Sequence, residues 1–301
     1  MHHGVTRMDS SEYWRVDTQK NQLDLIAESG FFSNCTLTLQ ALTEFYPSEN
    51  YFTVNWPAQN LWRDKSQGGK NLFELYFHPN HTVNTRDLAK VSAPHQSLIY
   101  EDMNFEKLNP YILNYFLPSD IVRTKQEEFV RKYKIEYEST IGLCYRGTDK
   151  WLEVAQIQPE FYVHEVERLL AKHSDLRVLV QTDQQQIRDR FMKALGERAF
   201  FLTELPVSSS PTPVHYMSES ERGISNFEWG TRVLAAVNIL AKCGYTITHT
   251  GSIGLWTYLL RGTSKNACQL KPGPPDVYSS FDGEMRFKRR LLKRARKLIN
   301  D

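Results

Sequence analysis

The chain has 301 residues, about twice the usual length of one domain, and this length predicts two domains. Hydrophobic residues make up 41% and charged residues 24%, as in ordinary globular proteins, and no apolar run reaches the ~18 residues of a membrane span. The net charge is +2, but residues 286–301 hold eight basic residues against one Asp, so the body before them is mildly acidic, which argues against nucleic-acid binding there.

The cysteines and the first residues indicate a reducing compartment. The four cysteines show neither the spacing of metal ligands nor the density of a disulfide scaffold, and we interpret them as buried free thiols. The N-terminus lacks the apolar segment of a secretory signal. The sequence therefore predicts a cytoplasmic protein.

The N-terminal part is predicted to combine helices and strands. In chain order, the expected elements are a helix over 21–46 that breaks at Gly30, a strand over 51–56, a strand over 72–78 and a helix over 118–132.

A polar loop separates the two predicted N-terminal strands. Residues 57–70 include Trp62, Arg63, Asp64 and a Gly-Gly pair, a composition too polar and flexible for a core element. Aromatic rings suit sugars, and we interpret these three side chains as candidates for binding an acceptor molecule.

From about residue 138 the pattern becomes a regular alternation of strands and helices. The expected strands are 139–146, 176–182, 198–203 and 244–249, and the expected helices between them are 159–173 and 228–242. Such alternation predicts a parallel sheet with helices on both faces. The Ser- and Pro-rich segment 206–226 is a long loop, and loops of that length in a compact domain tend to be functional.

The first of these strands delivers charged groups to its C-terminal end. The apolar run that begins at Ile141 ends abruptly in Arg146, Gly147, Asp149 and Lys150. Arg146 has a planar fork of donors suited to phosphate, and Gly147 permits close approach of a ligand to the backbone. The alternative interpretation is a surface turn with an ordinary ion pair.

A second strand end has a different kind of anion site. Residues 245–262 predict a strand, a tight turn and a helix, and the turn presents Thr250, Gly251 and Ser252 at the start of that helix. Hydroxyls together with the unpaired N–H groups of a helix start can bind an anion. Two alternatives stay open: Ser252 only caps the helix, and the adjacent His249 is a hydrogen-bonded strand-end residue and no ligand.

Both turns lie at the C-terminal ends of strands in one parallel sheet, where nucleotides bind in such folds. The chain contains no Walker loop, no G-x-G-x-x-G fingerprint and no Asp-x-Asp pair. ATPases and dehydrogenases are therefore disfavoured, and the remaining hypothesis is a diphosphate site without metal or other cofactor, neutralised by Arg146 and the helix start at Ser252.

Several segments share their order and residue types with one family. They are Cys-Tyr-Arg-Gly-Thr-Asp-Lys at 144–150 followed by Glu153, and the segments 177–183, 219–223 and 240–252. In combination they resemble the motifs of the α1,6-fucosyltransferases and the bacterial nodulation fucosyltransferase over about residues 138–262.

This resemblance implies a GT-B fold with two facing Rossmann-like domains and metal-free, inverting transfer of fucose from GDP-fucose to a glycan. By position, Arg146 binds the donor diphosphate and Ser252 a phosphate oxygen, while Asp149, Lys150 and Glu153 border the reacting sugar. Glu153 is the first candidate for the general base and Asp149 the second. Either carboxylate is alternatively a salt-bridge partner of Lys150.

The chain departs from the family at three positions. Cys144 replaces a His, Gly147 replaces the second Arg of a pair, and Ala236 lies where an acidic residue is expected. The His and the acidic residue read guanine in the family, so another donor such as a UDP-sugar stays open, as does a catalytically silent glycan-binding protein. The presence of Arg146, Asp149, Lys150 and Ser252 together argues against the silent protein.

The predicted domains are residues 1–136 on the acceptor side, residues 137–272 around the nucleotide sugar, and a basic tail helix over 273–301. Residues 286–299 form an amphipathic pattern with Phe287, Leu291, Ala295 and Leu298 on one side and Lys or Arg elsewhere. Three interpretations of this tail stay open. It packs across the two domains, it lies on an anionic membrane, or it contacts nucleic acid.

Overall fold

The computed structural model describes residues 8–10, 13–45, 50–57, 60–63, 67–82, 84–85, 88–96, 98–147, 157–210 and 212–271. The predicted tail helix, residues 273–301, lies outside the described residues. None of the helices in the described part has the length and apolar character needed to cross a membrane.

Among its described residues, the N-terminal part contains a four-stranded mixed sheet and four α-helices. The strands are β1 (Met8–Ser10), β2 (Trp14–Asp17), β3 (Gln22–Leu25) and β4 (Thr53–Asn55), in that order across the sheet, with β3 and β4 parallel and the other pairs antiparallel. The helices are α1 (Phe31–Glu44), α2 (Leu72–Tyr76), α3 (Phe105–Tyr115) and α4 (Asp120–Tyr133).

The C-terminal part contains a five-stranded sheet in which every pair is parallel. Its strands are β5 (Thr140–Tyr145), β6 (Arg177–Thr182), β7 (Ala199–Phe200), β8 (Tyr245–His249) and β9 (Ala267–Leu270), in the order β7-β6-β5-β8-β9. Its helices are α5 (Pro159–Leu170), α6 (Gln185–Leu195), α7 (Glu219–Arg222), α8 (Asn226–Lys242) and α9 (Ser252–Arg261). The expected α/β class with a parallel sheet is thus confirmed.

The strand order reverses direction at β5, which determines where a ligand can enter. The chain runs outward from β5 through β6 to β7, and then returns to place β8 on the other side of β5. Helices leaving β5 and β8 therefore lie on opposite faces of the sheet, and a crevice opens between the two strand ends.

Two stretches of the N-terminal part were predicted wrongly. Residues 72–78 form the short helix α2, because Asn71 caps it by accepting the N–H of Phe73, and the buried Leu72, Phe73 and Tyr76 have helical spacing. The first half of the predicted helix over 21–46 contains strand β3 instead; only the part after Gly30 is helical.

In the C-terminal part, the predicted strand over 198–203 is shorter than expected, since only Ala199–Phe200 pair with β6.

Two hydrophobic clusters cover the two faces of the parallel sheet. On one face, α5 and α6 pack against the β5 residues Ile141 and Leu143. On the other face, α8 and α9 form a single core with the N-terminal helices, in which α1 contacts α9 and α4 contacts α8. This shared core holds the N-terminal part against the C-terminal ends of the strands. The division at residues 136 and 137 stays a prediction.

Candidate active site

A cavity of about 420 Å³ opens between the two parts of the chain. Its walls are the C-terminal ends of β5, β6 and β8, the start of α1, the start of α9, one side of α8 and the long loop before α7. We call this cavity the cleft. It lies at the reversal of strand order, and the expected arrangement of two α/β parts facing a cleft is confirmed.

Arg146 lines the cleft immediately after β5, as the sequence predicted. Its Nε lies 2.9 Å from Oδ2 of Asp183, which follows β6. The other oxygen of Asp183 accepts the N–H of Gly147 at 3.2 Å. Asp183 therefore fixes both the guanidinium and the turn that holds it, and only 23% of the Arg146 side chain is exposed.

Gly147 has a steric role that the sequence alone did not reveal. A Cβ at this position would collide with the side chains of Gln184 and Tyr145. The lining of the cleft includes Tyr145 and Arg146 from this turn. The expected role of Gly147 in admitting a ligand to the backbone stays a prediction.

Two helix starts meet across the cleft. Helix α1 begins after Gly30 and α9 begins after Gly251, and no side-chain oxygen caps either helix. The hydroxyl oxygens of Ser33 and Ser252, one from each helix, lie 3.3 Å apart, and the Ser252 hydroxyl donates to the side chain of Gln96. The interpretation of Ser252 as a cap is wrong because Gly251 holds that position. Two positive helix ends at one point favour a bound anion.

Of the predicted turn at 250–252, only Ser252 lines the cleft. The hydroxyl of buried Tyr100 accepts the N–H of Gly251 at 2.8 Å and donates to its carbonyl at 2.9 Å. The Thr250 hydroxyl donates to the backbone carbonyl of Leu270 and accepts from the side-chain amide of Gln269, and both partners lie on the neighbouring strand β9. These contacts fix the turn, and burial raises the pKa of Tyr100 far above its usual value, so its phenol stays protonated.

Cys144 and His249 both line the cleft and contact each other through the backbone. Nδ1 of His249 lies 3.4 Å from the carbonyl oxygen of Cys144. Burial raises the pKa of the Cys144 thiol to about 12, against the opposing effect of Arg146. The thiol is therefore neutral at physiological pH and cannot act as a thiolate nucleophile.

The predicted acceptor loop lies partly in the cleft wall. Trp62 lines the cleft but is buried, with its ring stacked on Trp229 at 4.7 Å and its Nε1 donating to the carbonyl of Ser29. Arg63 donates to the carbonyls of Gly68 and Lys70 and so closes its own loop. Trp62 thus borders the cleft with its ring packed on Trp229, whereas the hydrogen bonds of Arg63 to backbone carbonyls hold the loop together.

The remaining predicted site residues lie outside the described part of the chain. These are Asp64, Asp149, Lys150 and Glu153. The identity of the general base therefore stays a prediction. Within the described ranges, no group of three or more His, Cys, Asp or Glu side chains is arranged to hold a metal ion.

Sequence reasoning missed several cleft residues. Ser33, Gln181, Trp229 and Tyr216 all line the cleft, and Tyr216 is 73% exposed at its mouth. Gln181 had a detectable signal, since it is a polar residue directly after the apolar run Val178, Leu179 and Val180 of its strand. The others depend on contacts between distant segments and had none.

Comparison with known proteins returned structural similarity alone. No family model matches the chain, and no curated protein matches it. The crystal structure of fucosyltransferase NodZ from Bradyrhizobium is similar, with a TM-score of 0.48 and 13% identity over 84% of this chain and 95% of that one. A NodZ alpha-1,6-fucosyltransferase crystal soaked with GDP-fucose gives a TM-score of 0.49 and 13% identity over 86% of this chain and 96% of that one.

Proposed function

We propose that the chain is a glycosyltransferase that binds a nucleoside diphosphate sugar in the cleft and transfers the sugar to a glycan hydroxyl. The observation that supports this is the convergence of three anion-binding features on one cavity: the Arg146 guanidinium, the start of α1 and the start of α9. A nucleotide with two linked phosphates can contact all three, because phosphate oxygens accept from guanidinium, hydroxyl and helix N–H groups.

The proposed chemistry is an inverting displacement. As the bond from sugar to phosphate breaks, negative charge gathers on the departing diphosphate, and preorganised donors lower the barrier by stabilising that charge. Arg146 is preorganised because Asp183 holds it at 2.9 Å. The Ser33 hydroxyl adds a donor at the start of α1, and the Ser252 hydroxyl would add one at the start of α9 by turning from Gln96 to a phosphate oxygen. With these groups supplying the positive potential, the transfer is proposed to need no metal ion.

The residues proposed to act on the acceptor are identified from the sequence. Glu153, or Asp149 in its place, would take the proton from the attacking hydroxyl. Trp62 and Trp229 form a stacked, buried pair in the cleft wall, and Trp62 is the proposed acceptor-side residue of that wall. Fucose from GDP-fucose is the donor that the motif resemblance implies, with a UDP-sugar as the alternative. Peripheral attachment to an anionic membrane through residues 286–301 remains part of the proposal.

The test is a calorimetric titration with GDP, UDP and their sugars in the presence of EDTA, followed by an assay for slow release of free sugar from the donor that binds. We expect at least one nucleoside diphosphate to bind with a dissociation constant in the micromolar range, and its sugar to be released. Binding with no release in the presence or absence of acceptor glycans would favour the silent glycan-binding protein. Binding that requires a divalent ion would contradict the metal-free mechanism.

A further inference from the structure

The aromatic side chains of the cleft differ sharply in exposure. Among the described residues, six Phe, Tyr and Trp side chains line it. Five of these residues are buried, with between 3% and 7% of each exposed: Phe31, Phe32, Trp62, Tyr145 and Trp229. The sixth, Tyr216, lies at the mouth and is 73% exposed. Of the six rings, Tyr216 is therefore the one with a large surface that an incoming molecule can reach.

The turn that carries Tyr216 is held by its backbone and by its neighbours. Residues Val214–Tyr216 form one turn of 3-10 helix, in which Tyr216 donates its N–H to the carbonyl of Pro213 at 3.0 Å and Met217 donates to that of Val214 at 3.2 Å. Val214 is buried and anchors the turn in the cleft wall. The ring of His215 packs beside that of Tyr216, with 4.2 Å between their centroids. A ligand that binds to this ring therefore has little backbone freedom to restrict.

The loop that carries Tyr216 starts at the residue that holds Arg146. Ser208 donates its N–H to the backbone carbonyl of Asp183 at 2.8 Å and accepts the N–H of Gln185 at 2.9 Å, so the loop begins as a short parallel bridge beside β6. The carboxylate of the same Asp183 bonds to Arg146 at 2.9 Å. The start of the loop and the proposed diphosphate site are therefore fixed by one residue.

We infer that Tyr216 binds a sugar ring of the acceptor glycan at the mouth of the cleft. The inference rests on the proposed function, because it takes the inner wall of the cleft as the site of the donor diphosphate. A pyranose ring has a face of C–H groups that can pack on an aromatic ring, and its hydroxyls can bond to a phenol hydroxyl. A glycan chain also has to extend from the reacting hydroxyl into solvent, and so it passes the mouth where Tyr216 lies.

A nucleobase is the other ring that an exposed tyrosine can stack on. A base gains most from a slot that removes both of its faces from water, whereas a single ring at an open mouth covers one face. A sugar has one apolar face to cover and many hydroxyls that are costly to remove from water, so it suits such a position better. The exposure of Tyr216 therefore favours the acceptor over the base.

The test begins with a printed array of linear and branched oligosaccharides of glucose, galactose, mannose, fucose and N-acetylglucosamine. The biotinylated protein, loaded with the nucleoside diphosphate that binds it most tightly, is displayed on streptavidin, because multivalency makes weak binding measurable. We expect at least one class of glycan to retain the wild type. In an NMR titration with that glycan in solution, Tyr216→Ala should bind about 10-fold more weakly, the effect of losing one stacked ring. Tyr216→Phe keeps the ring without the hydroxyl, so its affinity should lie between the two.

Tyr13→Ala is the matched control, because Tyr13 is also an exposed tyrosine, at 43%, but is not among the residues that line the cleft. We expect it to bind the glycan as the wild type does. The inference is overturned if no glycan retains the nucleotide-loaded wild type, or if Tyr216→Ala binds the glycan equally tightly. It is also overturned if Tyr216→Ala loses nucleotide affinity as strongly as glycan affinity, which would place the base at Tyr216 and leave the proposed function standing. If the wild type binds no nucleoside diphosphate, the proposed function fails and the acceptor role with it.

Discussion

Replacing Arg146 by Ala is expected to weaken nucleoside diphosphate binding by about 10- to 100-fold, the effect of losing one charge-assisted contact in a partly buried site. Donor cleavage should fall by a further factor of about 100 to 1000, because the guanidinium contributes most when the diphosphate gains charge in the transition state. Calorimetry gives the first quantity and the rate of free-sugar release gives the second. Arg146→Lys keeps the charge but loses the planar fork, so its values should lie between those of the wild type and Arg146→Ala.

Arg188→Ala is the matched control. Arg188 is similarly buried, with 20% of its side chain exposed, and is paired with Asp189 at 3.0 Å, but it does not line the cleft. We expect this variant to retain nucleotide affinity and donor cleavage. If both variants lose binding equally, the loss at Arg146 reflects general destabilisation and the assignment to the diphosphate fails.

Replacing Gly254 by Ala is expected to lower the free energy of unfolding by about 3 kcal/mol and to weaken nucleotide binding as well. Gly254 lies in the first turn of α9, and an added Cβ would collide with the backbone carbonyl of His249. A backbone atom cannot rotate away as a side chain can, so α9 must move from the end of β8. That movement would separate Ser252 from Ser33 and break the contact of Tyr100 with Gly251.

The control for this prediction is the same substitution at Gly69. A Cβ there meets no atom within 4 Å, and the backbone conformation is open to Ala. Chemical denaturation of both variants should show a loss of stability at Gly254 alone. Unchanged stability and unchanged nucleotide affinity in Gly254→Ala would mean that the tight approach of α9 to β8 does not position the site.

That Arg146 and Ser252 line the same cleft was predictable because it follows from local patterns. Each residue comes directly after a buried strand, and parallel strands end at the same edge of a sheet. The alternation of strands and helices after residue 138 was strong enough to place both. Ligand-facing groups in this half of the chain could therefore be proposed before any contact was known.

The contribution of the N-terminal part could not be predicted in the same way. Ser33 meets Ser252 across 219 residues of sequence, and Tyr100 clamps Gly251 across 151. No periodicity encodes such contacts, since they depend on how α1 packs against α9. The short helix α2 was mistaken for a strand because seven mostly apolar residues fit either period, and only the cap at Asn71 distinguishes them.

The central claim is that Arg146 and two opposed helix starts cradle a diphosphate. The most direct measurement is a crystal structure of the protein with the nucleoside diphosphate that binds most tightly. The account predicts phosphate oxygens within hydrogen-bond distance of the Arg146 guanidinium and of the Ser33 or Ser252 hydroxyl. Phosphates bound away from Arg146, or a nucleotide outside the cleft, would contradict it.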